Sequence, residues 1–193
     1  MEVNKIIVDK IKKEAIGVIP TDTIYGVVAS ALSKKAVARA YKILSRNPKK
    51  PFIILISSIK DLELFGVILD NDAKRILKKL WPGKVSVILP SPGNNFRYLH
   101  RGTKSLAFRL PRKKSLTELL GKTGPLISTS ANPEGKKPAV TVAGAKKYFD
   151  NKVDFFVNAG KLSSKSSTLL KVEGGKICII RRGTFQTPEN LLQ

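Results

Sequence analysis

Apolar residues recur at helical spacing in Val3, Ile6, Ile7, Ile11 and Ala15, with lysines between them, so the pattern predicts an amphipathic helix over 2–15. Gly17 ends it. Gly17-Val18-Ile19 reads as a short buried strand running into Pro20-Thr21-Asp22-Thr23, a turn that gathers several oxygens in one place. A second helix is predicted over 34–45, its stripe being Val37, Ala40, Tyr41 and Leu44, followed by a basic loop at 46–51 fenced by Pro48 and Pro51. The continuous apolar run at 52–56 suits a central strand. A short helix near 61–65 precedes a longer one at 72–81, which aligns Ala73, Ile76, Leu77 and Leu80 before Trp81-Pro82-Gly83 stops it. Strands follow at 85–89, 105–110 and 125–129, with a helix at 116–120 between the last two. Residues 141–149 form a helix with Thr141 as candidate N-cap. The closing strands at 153–157, 168–172 and 176–180 are separated by Gly160 and Gly174-Gly175. Alternating helices and strands, then clustered strands, predict one α/β domain over 1–193 around a twisted mixed sheet.

Composition narrows the classes. Lys+Arg number 36 against Asp+Glu 14, a net charge of +22. Such a field attracts RNA, DNA or a phosphate-rich ligand. Lysine filling solvated faces gives the same count, and no aromatic-interleaved basic cluster accompanies the charge. One cysteine, Cys178, and one histidine, His100, exclude a disulfide framework and speak against a Cys/His metal site. His100 falls in a polar loop with no triad motif. No stretch approaches the roughly 20 apolar residues of a membrane span. The N-terminus has no signal-peptide core, so the expected location is the cytoplasm.

Two places carry candidate chemistry. Residues 126–141, LISTSANPEGKKPAVT, read as a strand emptying into a loop that displays Ser128, Thr129, Ser130 and Asn132. Ligands of α/β proteins gather at such strand ends, although a Ser-rich loop with an Asx turn would give the same string. Arg109 interrupts the apolar run SLAFRL. A charge there is costly unless it has a buried carboxylate partner or a ligand.

These pieces occur in a familiar order: PTDTIYG at 20–26, R-x-x-x-KP at 46–51, WPG at 81–83, LAFRLP at 106–111, STSAN at 128–132, ST at 167–168 and R-x-G at 181–183. The chain resembles the YrdC/TsaC-like threonylcarbamoyl-AMP synthases in their short, single-domain form. The resemblance implies a YrdC-like α/β fold, with flanking helices and a basic concave cleft on the sheet. It also implies a reaction, L-threonine, bicarbonate and ATP giving threonylcarbamoyl-AMP and pyrophosphate, for N6-threonylcarbamoyladenosine synthesis at position 37 of tRNAs. Thr23, Arg109, Ser130 and Ser167 would hold threonine. Arg46, Lys50, Ser105, Asn132, Thr141 and Arg181 would hold ATP, with Arg46 and Lys50 also acting on the phosphates. ATP is then a substrate accompanied by Mg2+, with no tightly bound cofactor and no protein metal site. A downstream threonylcarbamoyl transferase is the implied partner, with tRNA or double-stranded RNA as a further one. Three positions depart from the family pattern. Leu44 stands where a lysine is usual, Leu55 where histidine is common, and Lys84 where proline is common. Leu44 falls on the apolar stripe, so it is expected to pack, and Lys49 substitutes for the missing ammonium better than Lys42 does. If that ammonium limits the reaction, Leu44→Lys should raise turnover. The same departures, with the charge, leave a second reading open: a non-catalytic YrdC-like protein that binds double-stranded RNA or tRNA.

Overall fold

The structure, a computed structural model, describes residues 4–173 and 176–186. Val3 and the Gly174-Gly175 separator lie outside the described residues. The elements in chain order are α1 (Lys5–Lys12), β1 (Gly17–Pro20), β2 (Tyr25–Ser30), α2 (Lys34–Ile43), β3 (Ile53–Leu55), α3 (Asn71–Leu80), β4 (Val85–Pro90), α4 (Arg97–His100), β5 (Ser105–Arg109), α5 (Lys114–Thr123), β6 (Leu126–Ser130), α6 (Val142–Phe149), β7 (Phe155–Phe156), β8 (Thr168–Glu173) and β9 (Lys176–Arg181). Side-chain oxygens cap four of the helices, each accepting from a backbone amide two or three residues on: Asn4 from Ile6, Ser33 from Ala36, Asp70 from Ala73 and Thr141 from Gly144. These bonds satisfy amides that helix geometry leaves open.

The strands form one mixed sheet in the order β7-β1-β2-β6-β3-β5-β4-β8-β9. β1 with β7, β3 with β5 and β4 with β8 run parallel, and the other neighbours are antiparallel. One face is covered along much of its width. There Ala36, Val37, Ala40 and Tyr41 of α2, the α3 stripe, Leu99 of α4, and Ala145 and Phe149 of α6 pack on Val27, Ile54, Val87, Phe108 and Leu170. Each such aliphatic or aromatic side chain contributes about 1.5–3 kcal/mol of burial. On the opposite face α1 and α5 cover only Ile19, Val28, Leu55, Leu126 and their neighbours. Beyond that patch a cross-strand row, Ile53 beside Ala107 beside Ile88, is only partly buried. The uncovered part of the sheet is where the candidate site forms.

Three expectations need correction. The helix near 61–65 is a 3-10 turn over Ile59–Phe65, closed by Ser58 and Asp61. Residues Tyr25–Ser30 are a strand rather than the tail of a turn. His100 is buried in α4, its Nδ1 accepting from the Gly102 amide at 3.1 Å, not placed in an open polar loop. No helix among the described residues is long and apolar enough to cross a membrane.

Candidate substrate site

Thr21 organises the turn between β1 and β2. Its hydroxyl donates to the Ile24 carbonyl at 2.6 Å and accepts from the Thr23 and Ile24 amides at 3.1 and 3.2 Å. Such local side-chain bonding holds Thr in a turn rather than in regular structure. The Thr21 and Thr23 hydroxyls lie 3.0 Å apart. With the Thr21 proton spent on Ile24, the Thr23 hydroxyl is the donor of that pair. Gly26 leaves room beside the turn, since a Cβ there would stand 3.1 Å from Ser128 Oγ.

Arg109, at the end of β5, faces this turn. Its Nε donates to the Gly83 carbonyl at 3.2 Å, one terminal nitrogen donates to Thr23 Oγ1 at 3.3 Å, and the other pairs with the Asp22 carboxylate. Gly83 must be glycine for this approach, because a Cβ would lie 2.4 Å from the Leu80 carbonyl. Of the five guanidinium N–H groups, one on each terminal nitrogen remains without a partner among the described residues. Burial pushes the Arg109 pKa down and the Asp22 charge opposes it. The carboxylate left open by the sequence is therefore Asp22.

Thr21, Thr23, Gly26, Ile53, Leu55, Arg109, Ser128, Ser130, Ser167 and Arg181 line one small pocket. Ser167 is buried, its hydroxyl 2.9 Å from that of Ser86, and Arg181 donates to the Ser167 carbonyl at 3.0 Å. Five of the sequence candidates thus meet: Thr23, Arg109, Ser130, Ser167 and Arg181. The Arg181 pKa is pushed down by burial and by the positive charge of Arg46, so Arg46 stands close to the same rim.

The remaining candidates lie outside that lining. Arg46 closes its own loop, donating to the Lys50 and Pro51 carbonyls at 3.0 and 2.9 Å, with its guanidinium 4.9 Å over the Phe52 ring. Lys50 pairs with Glu134, whose carboxylate also accepts from the Asn47 amide. That backbone bond first, and Lys50 second, hold the Glu134 carboxyl below its ordinary range. Asn132 donates twice, to the Pro133 and Lys136 carbonyls at 2.8 Å, while its Oδ1 is buried with no partner. Thr141 caps α6. Ser105 shares the face of Arg109 four residues down β5, about 13 Å away at strand spacing. Lys49 lines a different groove, and Leu44 and Leu55 are both buried.

Thr21, Asp22, Gly83 and Glu134 are the residues sequence reasoning missed. A search for the carboxylate that neutralises Arg109 would have raised Asp22. Glu134 gives no such signal.

Hydroxyls, two guanidinium groups and an orphaned amide oxygen at the open part of a mixed sheet define an α/β protein built to hold a small polar ligand bearing negative charge. The chain belongs to the Sua5/YciO/YrdC family, whose model, described as "Telomere recombination", matches residues 9–183. A protein of Methanocaldococcus jannaschii is 34% identical over 189 residues, covering 95% of this chain and 89% of its own length. The threonylcarbamoyl-AMP synthase of Hahella chejuensis is 32% identical over 82% of this chain and 87% of its own. Sua5 of Pyrococcus abyssi, solved in complex with L-threonine, superposes with a TM-score of 0.85 at 26% identity, covering 92% of this chain and 53% of that one.

Proposed function

We propose that this protein is a threonylcarbamoyl-AMP synthase, joining L-threonine, bicarbonate and ATP with release of pyrophosphate. The observation that carries this reading is the convergence of Thr23, Arg109, Ser130, Ser167 and Arg181 on one pocket in a chain of this family. Arg109 has one open N–H on each terminal nitrogen, which suits the threonine carboxylate. Thr23 Oγ1 donates to Thr21 and accepts from Arg109, keeping one lone pair for an ammonium or hydroxyl donor. The threonine amine captures bicarbonate or CO2 as a carbamate. A carbamate oxygen attacks the α-phosphorus of ATP, and pyrophosphate leaves with the electron pair of the broken P–O bond. Charge builds on phosphate oxygens during that step, so positioned cations supply the stabilisation. Arg46, Lys50 and Arg181 fill that role, and the unpartnered Asn132 Oδ1 awaits a donor from the nucleotide, with Ser105 and Thr141 further along its length. The described residues hold no His, Cys, Asp or Glu cluster suited to a metal. Their donors therefore do not fit a dedicated Mg2+ site, and no step passes through one. The product serves a separate threonylcarbamoyl transferase that modifies tRNA.

The test is pyrophosphate release from ATP by the purified protein. Release should require both L-threonine and bicarbonate and should fall at least 100-fold in Arg109→Ala. No release at saturating substrates would end the enzyme reading.

A further inference from the structure

A groove of about 530 Å3 lies outside the substrate pocket, lined by Lys34, Pro48, Lys49, Asn94, Asn95, Arg97, Tyr98 and Arg101. Its cations come from three separate segments: the first turn of α2, the 46–51 loop, and α4 with the residue after it. No carboxylate lines it, and among the described residues none of Lys34, Lys49, Arg97 or Arg101 forms an ion pair. Elsewhere on the molecule concentrated cations are answered. The groove holding Lys10, Lys13, Lys35 and Arg39 also holds Glu14 and Asp154, which pair with Lys35 and Arg39. The groove with Lys60, Lys74 and Lys78 contains Glu63, and that with Lys79, Lys84, Arg112 and Lys113 contains Asp22.

Two of the unanswered cations are also held in place. Lys34 sits 5.8 Å above the Tyr98 ring and Arg101 4.8 Å above Tyr41. Arg101 Nε donates to the Pro48 carbonyl at 2.7 Å, leaving its terminal nitrogens open. Tyr98 is itself fixed by its hydroxyl donating to the Ala31 carbonyl at 2.8 Å. Ordered cations repel one another and lose rotamer freedom, so their arrangement without a counter-charge implies one from outside. Spacing over three segments suits a ligand with several negative groups in a row, and the Asn94 and Asn95 amides add uncharged donors at the rim.

We infer that this groove is an anion-binding site, separate from the substrate pocket, for a chain of phosphates: a condensed polyphosphate or the backbone of a nucleic-acid strand. Arg forks and Lys point charges are the usual phosphate partners.

The experiment uses the full chain with two probes, a labelled RNA hairpin and inorganic tripolyphosphate, titrated between 50 and 200 mM salt. Lys34→Glu with Arg97→Glu is compared with Lys5→Glu with Lys114→Glu. All four are first residues of helices, so the helix-dipole effect is matched, and both pairs remove the same charge. In the groove variant, binding of at least one probe should fall about 10-fold or more at 100 mM salt. For RNA, the log–log salt slope should flatten by about two. The control pair should stay within about two-fold, and threonine-dependent pyrophosphate release should persist in both. Loss of RNA binding alone identifies a strand as the ligand, and loss of tripolyphosphate binding identifies a condensed phosphate. Equal loss in both variants, or loss in neither, overturns the proposal. Lys34→Gln with Arg97→Gln repeats the comparison if charge reversal impairs folding.

Discussion

A guanidinium group whose side chain is 5% exposed needs its charge answered within the protein, and Asp22 answers it from 87 residues away. Removing one member of a buried pair leaves the other uncompensated, which costs about 3–5 kcal/mol. Asp22→Asn keeps the shape and removes only the charge, so urea denaturation should show a stability loss of that order. A bound anion would then matter more than it does in the parent. If Arg109 takes the threonine carboxylate, saturating L-threonine should raise the melting temperature of Asp22→Asn by more than that of the parent. An equal or smaller rise would show that the carboxylate binds elsewhere.

At the scale of elements, the end of α2 shows what motif comparison alone would mislead. Leu44, the C-cap of α2, is 2% exposed within the main core, and its carbonyl accepts from the Glu134 amide at 3.0 Å. A lysine there would carry an ammonium into the cluster of Val37, Tyr41 and Phe52. Such burial costs about 2–5 kcal/mol. Leu44→Lys should therefore lower stability by that amount without raising turnover; a variant that melts like the parent and works faster would contradict the packing. The stripe that put Leu44 inside was legible because helical periodicity survives in a one-faced helix. β2 was not legible. Its first five residues are buried, so YGVVAS offers neither period, and the PTDT turn before it drew the eye. α4 is four residues long and owes its place to Leu99 in the core and Tyr98 bonded to Ala31, contacts no local pattern encodes. Arg109 announced itself as a charge within an apolar strand. The Glu134 bonds to Lys50 and Asn47 did not, because they join two exposed loops far apart in sequence.

For the whole molecule, the sheet is closed over the site by its own connectivity. β7 lies at one edge and β8 next to the other, so the segment between Phe156 and Thr168 crosses the sheet and brings Ser166 and Ser167 to the pocket. Tyr25, expected only as a core aromatic, also holds this crossing: its hydroxyl accepts from the Ala159 amide and donates to the Gly160 carbonyl, both at 2.8 Å. The crossing departs from a point fixed by Asp154. Its carboxylate accepts from the Ile16 amide at 2.7 Å and from both terminal nitrogens of Arg39 at 2.6 and 2.9 Å, and its own amide donates to the Ile16 carbonyl. Arg39 first, then the Ile16 amide, hold the Asp154 carboxyl below the usual aspartate range, against a smaller upward push from burial. The pair is about one-third exposed, so solvent screens it, and Asp154→Asn should cost about 1–2 kcal/mol near neutral pH. A carboxyl with a lowered folded pKa contributes its full stability above its unfolded value, about 3.9, and loses it as pH falls through the folded value. The stability gap between the parent and Asp154→Asn should therefore be flat from about pH 7 down to pH 5 and narrow below about pH 4. A gap that stayed constant into that acid range would assign the loss to shape rather than charge, and the anchor at the start of the crossing would then be the backbone bonds alone.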